Sequence, residues 1–215
     1  MARPSTPLLS RELIRDAAVA LIDEAGIEAL SMRALADRLG VRAQSLYGHF
    51  PNKDALLDAV ANLITREVDT SGFADGDWRR GLLVWGHSYR TALSAHPRAA
   101  AVIAAGTRDR ADFLAMADAV HGGLVGAGWP PRTATLISAS VKYLVIGAAT
   151  TPFASGFADD TAVYLHRYPN LVQAHRLSSQ AEAIDRDSFR LALESLVAGL
   201  ERHPDAPCAD VTSRA

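Results

Sequence analysis

Apolar residues recur along this chain at intervals of three and four, the spacing of one helix face, and no stretch alternates as strands do. Leu13, Ile14, Ala17, Ala18, Leu21 and Ile22 make a first stripe, with Ser10 ahead of it as a cap and Gly26 closing it. Met32, Leu35, Ala36 and Leu39 make a second. Ser31 stands where a side-chain oxygen accepts from a free first-turn amide, and Gly40 gives the backbone freedom that a sharp helix exit needs. A third helix is predicted from about Arg42 to His49, with Val41, Leu46 and Phe50 turned inward. Pro51-Asn52 ends it and caps a fourth, from about Lys53 to Val68, whose stripe is Leu56, Leu57, Val60, Leu63 and Ile64.

The stretch Asp69 to Asp77, DTSGFADGD, is rich in Gly and Asp and reads as a domain boundary. The helical spacing then resumes. Asp77 to Ala95 carries Trp78, Leu82, Leu83, Trp85, Tyr89 and Leu93, and Pro97 opens another helix. Thr107 to Ala127 is closed by Gly128, and Pro130-Pro131 starts a long helix to about Thr150. Residues 153–179 mix Gly, Pro and Asp with aromatics and read as a loop around one or two short helices. A last helix is predicted from about Gln180 to Leu200, with Phe189, Leu193, Leu196, Val197 and Leu200 on one stripe. The expected organisation is a flexible arm over 1–9, a head over 10–68, a larger helical domain over 77–200 and a disordered tail over 201–215. The fold class is all-α.

Composition narrows the class. Hydrophobic residues make up 49% of 215, ordinary for a globular chain. The single Cys208 excludes a disulfide frame or a cysteine metal site within one chain. No signal-peptide core is present at the N-terminus, and the apolar run Leu136 to Ala149 is interrupted by Lys142 and shorter than the roughly 20 residues of a membrane span. A cytoplasmic protein with no membrane partner is expected. No Gly-rich phosphate loop, G-x-S-x-G elbow or supported pair of His ligands occurs, so no catalytic residue, metal or cofactor is assigned.

The net charge of −2 carries no basic excess, but its distribution does matter. Between Arg38 and Lys53 there is no Asp or Glu, while Arg38, Arg42, His49 and Lys53 fall in that window. A carboxylate facing phosphate would cost affinity, so an acid-free surface suits a polyanion. Two helices around a short Gly-containing turn form the helix-turn-helix unit, whose second helix enters the major groove. On that helix Arg42 can fork onto guanine, Gln44 onto adenine, and Ser45 can reach a base or a phosphate. The alternative for each is contact with phosphate or water alone. Ala43 and Gly48 offer no side-chain hydrogen bond.

From Arg33 to Leu57 the chain reads R-A-L-A-D-R-L-G-V-x-x-x-S-L-Y-x-H-F-x-N-K-D-A-L-L, and Ala17 to Gly26 reads A-A-x-x-L-x-x-x-A-G. Both stretches resemble the tetracycline-repressor (TetR) family of transcription regulators. The resemblance implies that Tyr47, His49 and Lys53 touch the DNA backbone, and that Ser31 and Arg33 meet phosphate or the groove edge. It also implies that the fourth helix transmits effector binding to the reading heads.

Further on, I-A-A-G-T-R-D, then G-A-G-W-P and a long helix, is similar to the effector domain of the tetracycline-repressor subgroup. The resemblance places Thr107 and Arg108 in the ligand loop. Two departures count. Ala104 stands where that subgroup has a magnesium-binding His, and Trp85 where it has a pocket Asn. Alanine offers no donor to Mg²⁺. A largely apolar effector is expected instead of a metal chelate, stacked on Trp85 and Tyr89 and bounded by Phe113 and Met116. The alternative is that these four are core positions. The resulting expectation is a homodimeric, ligand-released repressor on a palindromic DNA operator, with ligand-independent binding or activation by the same head as the alternative.

Overall fold

The computed structural model describes residues 9–100, 103, 110–151, 153, 157–158, 160–165, 167–171 and 173–207. Among them the order is α1 (Arg11–Ala25), a 3-10 turn (Ile27–Ala29), α2 (Met32–Leu39), α3 (Ala43–Tyr47) and α4 (Lys53–Arg66). A 3-10 turn (Ser71–Phe73) precedes α5 (Trp78–Ala95), α6 (Ala111–Gly126), α7 (Pro131–Thr150), the single turn α8 (Ala162–Leu165) and three 3-10 turns. The last element is α9 (Ala181–Leu200). The described residues contain no strand. The N-terminal arm up to Leu8, Ala104, Thr107, Arg108 and the tail from Cys208 lie outside the described residues.

The chain groups into two compact units, Met1–Val68 with Thr91–Met116, and Asp69–Arg90 with Ala117–Ala215. In the first, Ser10 Oγ accepts from the Leu13 amide at 3.2 Å and starts α1. Ile14, Ala18 and Ile22 of α1 are fully buried, as are Leu35 of α2, Leu46 of α3, and Leu56, Val60 and Ile64 of α4. A fully buried side chain of this size contributes roughly 1.5–3 kcal/mol, so three short helices and α4 make a sufficient core. Ser31 Oγ accepts from Ala34 at 3.1 Å to open α2. Gly40, at φ 66° and ψ 30°, closes it in the left-handed region, and the Val41 amide returns to the Ala36 carbonyl at 3.0 Å. That pairing satisfies carbonyls that a helix end leaves free and turns the chain sharply. α3 is shorter than its expected span, five residues against eight.

The second unit holds the buried faces of Trp78, Leu82, Trp85 and Tyr89. Trp78 meets Trp129 edge-on, with centroids 5.2 Å apart and planes at 88°. The Gly- and Asp-rich stretch is no bare linker, because Phe73 is buried and sits where a Cβ on Gly81 or Gly123 would overlap it. The tail also departs from expectation. Residues 201–207 are placed: Arg79 Nε donates to Glu201 at 2.5 Å, the Thr133 hydroxyl donates to Asp205 at 2.5 Å, and the His203 ring lies 5.9 Å from Trp129.

α7 spans Pro131–Thr150, as its spacing predicts. An 18-residue window within its 20 residues has a mean hydropathy of 1.3, enough by length and composition to cross a membrane, yet only 28% of that window is buried. Leu136 is 50% exposed and Tyr143 74%.

Candidate nucleic-acid interface

Leu46 and Phe50, at 0% and 1% exposure, anchor α3 from below and fix which side of it faces outward. Arg42, Gln44, Ser45 and Gly48 are exposed, and Tyr47 is 47% exposed. Among the described residues, the side chains of Arg42, Gln44, Ser45 and Tyr47 have no hydrogen-bond or ion-pair partner. Their polar groups are therefore available to a ligand at no internal cost. Arg33, exposed on α2, is in the same position.

The remaining three expected contact residues carry structural work as well. Ser31 Oγ accepts the α2 capping bond, which leaves its hydroxyl proton to donate. Lys53 is half-buried, and its Nζ donates to the Ile27 carbonyl at 3.3 Å, holding the 3-10 turn against the start of α4. Asn52 Oδ1 accepts from Ala55 at 2.8 Å and caps α4, so the positive end of that helix lies beside Lys53. His49 is half-buried, and its carbonyl accepts from the Arg11 guanidinium.

Sequence reasoning passed over Arg11. Its guanidinium lies 4.3 Å from the Phe50 ring centroid, which puts an exposed cation at the end of the reading segment. The signal available was the position right after the α1 cap, where a side chain is free to reach across to a neighbouring helix. Arg38 goes the other way. It pairs in bidentate fashion with Glu24, at 2.6 and 2.7 Å, so the acid-free window loses Arg38 to an acid outside it. That pair holds Glu24 below the ordinary carboxylate range and Arg38 above its own, the hydrogen bond being the largest cause in each.

The expected effector residues do not form one described group. Trp85 and Tyr89 belong to the second unit, stacked at 6.2 Å and 27° and buried at 3% and 0% exposure. The Trp85 indole N–H is buried without an acceptor among the described residues. Met116 is buried and Phe113 half-buried in the first unit. Thr107 and Arg108 lie outside the described residues. Among the described residues no cluster of His, Cys, Asp and Glu could hold a metal ion.

Comparison with known proteins sets these features in context. Residues 14–60 match the model for bacterial regulatory proteins of the tetR family, and residues 73–203 match the tetracycline repressor-like C-terminal domain. The chain is 33% identical over 200 residues to the tetracycline repressor protein class G of Vibrio anguillarum, covering 90% of this chain and 94% of that one. It is 41% identical over 145 residues to the class A repressor from transposon 1721 of Escherichia coli, spanning 66% of each. Among solved structures it resembles the Streptomyces coelicolor TetR family protein ActR in complex with actinorhodin, at 26% identity, 93% and 99% coverage and a TM-score of 0.73. It also resembles BioQ with its double-stranded DNA operator, at 26% identity, 91% and 100% coverage and a TM-score of 0.63. Two family models together span most of the chain, head and body alike, and the chain belongs to the tetR family of bacterial regulatory proteins.

Proposed function

We propose that this protein is a cytoplasmic, homodimeric repressor that binds a palindromic operator through α3 and is released by a small-molecule effector. The observation that carries the reading is the outward face of α3: Arg42, Gln44, Ser45 and Tyr47 exposed and unpartnered among the described residues, over a buried Leu46 and Phe50. Arg42 and Gln44 supply the forked and amide donors that read guanine and adenine edges. Tyr47, His49, Lys53, Arg33 and Ser31 supply phosphate contacts, with Arg11 added to them. BioQ, bound to its operator, supports the assignment by likeness.

Dimerisation follows from α7 and α9. The exposed Leu136 and Tyr143 of α7 and Leu191 of α9 leave an apolar face uncovered. Between these helices runs a groove of about 400 Å³, lined by Tyr143, Leu144, Phe153 and Phe189. A second copy of the same face would cover it, and two heads would then address sites one helical turn apart, roughly 34–36 Å.

The effector is read as a flat, largely apolar molecule stacked with Trp85 and Tyr89 of the second unit. One acceptor on it would satisfy the buried Trp85 N–H, which otherwise costs about 1–3 kcal/mol. ActR in complex with actinorhodin supports a small-molecule effector by likeness. Release from the operator requires only that the effector bind the two conformers with different affinity.

The test is selection of duplexes from a random pool by the purified protein, followed by anisotropy titration at several salt concentrations. A palindromic consensus with half-sites about ten base pairs apart is expected. Failure to enrich any sequence at low ionic strength would overturn the reading.

A further inference from the structure

α1 ends against the usual rule. Its last turn holds Asp23 and Glu24 and no basic residue, although the free carbonyls of a helix C-terminus disfavour negative charge. Three side chains from elsewhere in the same unit meet this end. Arg38 of α2 takes the Glu24 carboxylate at 2.6 and 2.7 Å. His96, directly after α5, places Nδ1 2.7 Å from Asp23 Oδ2. Arg98 donates through one nitrogen to the Asp23 carbonyl at 3.0 Å and to the Glu24 carbonyl. One turn of α1 is thus held by the residues on either side of Pro97 and passes that hold to α2 through a bidentate pair.

A second tie joins the same unit at α4. Arg66 Nη2 lies 3.0 Å from Asp112 Oδ2, and the Asp112 amide donates to Asn62 Oδ1 at 3.2 Å. The Arg66 side chain is 66% exposed, so that ion pair is weak. The tie at α1 differs in kind: the side chains of His96 and Asp23 are 22% and 30% exposed, and Arg98 fills carbonyl positions that a helix end must satisfy somehow.

We propose that the turn His96–Pro97–Arg98 is the positioning clamp that sets α1 and, through Glu24 and Arg38, α2 of the helix-turn-helix. The inference rests on the DNA-binding reading above for what the head does, but the clamp itself is a statement about the head's mechanics.

The test uses the full-length protein with Arg98→Ala, His96→Gln, the double variant, and Arg66→Ala as the comparison. Amide hydrogen exchange is followed at the last turn of α1 and at Leu35 to Leu39 of α2, with α4 as an internal reference. The clamp predicts faster exchange in both α1 and α2 for Arg98→Ala, more so for the double variant, and no change in α2 for Arg66→Ala. Affinity for the duplex enriched by the unaltered protein should fall roughly threefold to thirtyfold. The slope of affinity against salt should stay unchanged, since no phosphate contact is lost. His96→Gln keeps a hydrogen-bond donor and serves as the milder variant should Arg98→Ala fold poorly. Unchanged exchange in α2 of the double variant overturns the proposal. So does a reduced salt slope, which would make Arg98 a phosphate contact. If no duplex is enriched, the DNA-binding reading fails while the exchange measurements still decide the clamp.

Discussion

In the helix-turn-helix segment Leu35, Leu46 and Phe50 are at most 1% exposed, and the one large ring left outside, Tyr47, is expected at the DNA. In α7 the balance is reversed: Leu136 and Tyr143 stand 50% and 74% exposed in a helix whose 18-residue window is only 28% buried. The head is complete as a folded object, and the side chains on the outward face of α3 are polar and unpartnered among the described residues. The α7–α9 face is incomplete, and what it exposes is apolar. The two deficits call for different partners, because unpartnered donors seek a polyanion and uncovered rings seek another apolar surface. A charge placed on the α7 face should therefore break the second without touching the first. With Leu136→Arg and Tyr143→Glu together, sedimentation should report a monomer whose head still melts as before. Its operator affinity should fall on the order of 10²–10⁴-fold, the gain lost when two heads are no longer linked. A dimer that survives both changes would place the interface elsewhere.

The converse change acts inside the head. Leu46→Ala removes a side chain with no exposure from beneath α3 and should cost about 2–5 kcal/mol of head stability, read as a lowered denaturant midpoint. The oligomeric state should be unaffected. If the variant also dissociates, the head and the α7–α9 face are less independent than their burial patterns indicate.

Smaller effects belong to the reading face. Arg42→Ala or Gln44→Ala removes an exposed group with no partner among the described residues, so stability should hold. Each should cost about 1–3 kcal/mol of operator affinity and relax preference at one base pair if it forks onto a base. A uniform loss across sequences with a reduced salt slope would instead mark a phosphate contact. Tyr47→Phe separates the same alternatives for the phenol.

Most of the fold was legible because its helices are amphipathic and capped by local signals. Ser10, Ser31 and Asn52 cap the helices that their positions predict, and Gly40 turns the chain where expected. What escaped was long-range. Nothing near Glu201 announces that Arg79 will hold it, or that Trp129 will take His203 against its ring, so residues 201–207 read as a tail. Phe73 is hidden in a polar stretch because the space for it is made by Gly81 and Gly123, the second fifty residues away in sequence. In the site, the exposed residues of α3 were legible from their neighbours' apolar spacing. The pairing of Arg38 was not legible, because Glu24, its partner, lies on another helix.

That pair yields the weakest of the expected effects. Glu24 sits below the ordinary carboxylate range because Arg38 donates to it. A carboxylate whose pKa is lower folded than unfolded binds fewer protons in the native state, so its contribution is complete above the unfolded value. The contribution declines as pH falls from about 4.3, the ordinary value for glutamate, through the folded value. Both side chains are largely exposed, so the effect should be small and weakened further by salt. Thermal melts of the unaltered protein and Glu24→Gln should accordingly differ slightly at pH 7 and converge below pH 4. A difference that instead grows on acidification would mean that the Arg38 pair is not what holds Glu24, and that the link from α1 to α2 depends on some other contact.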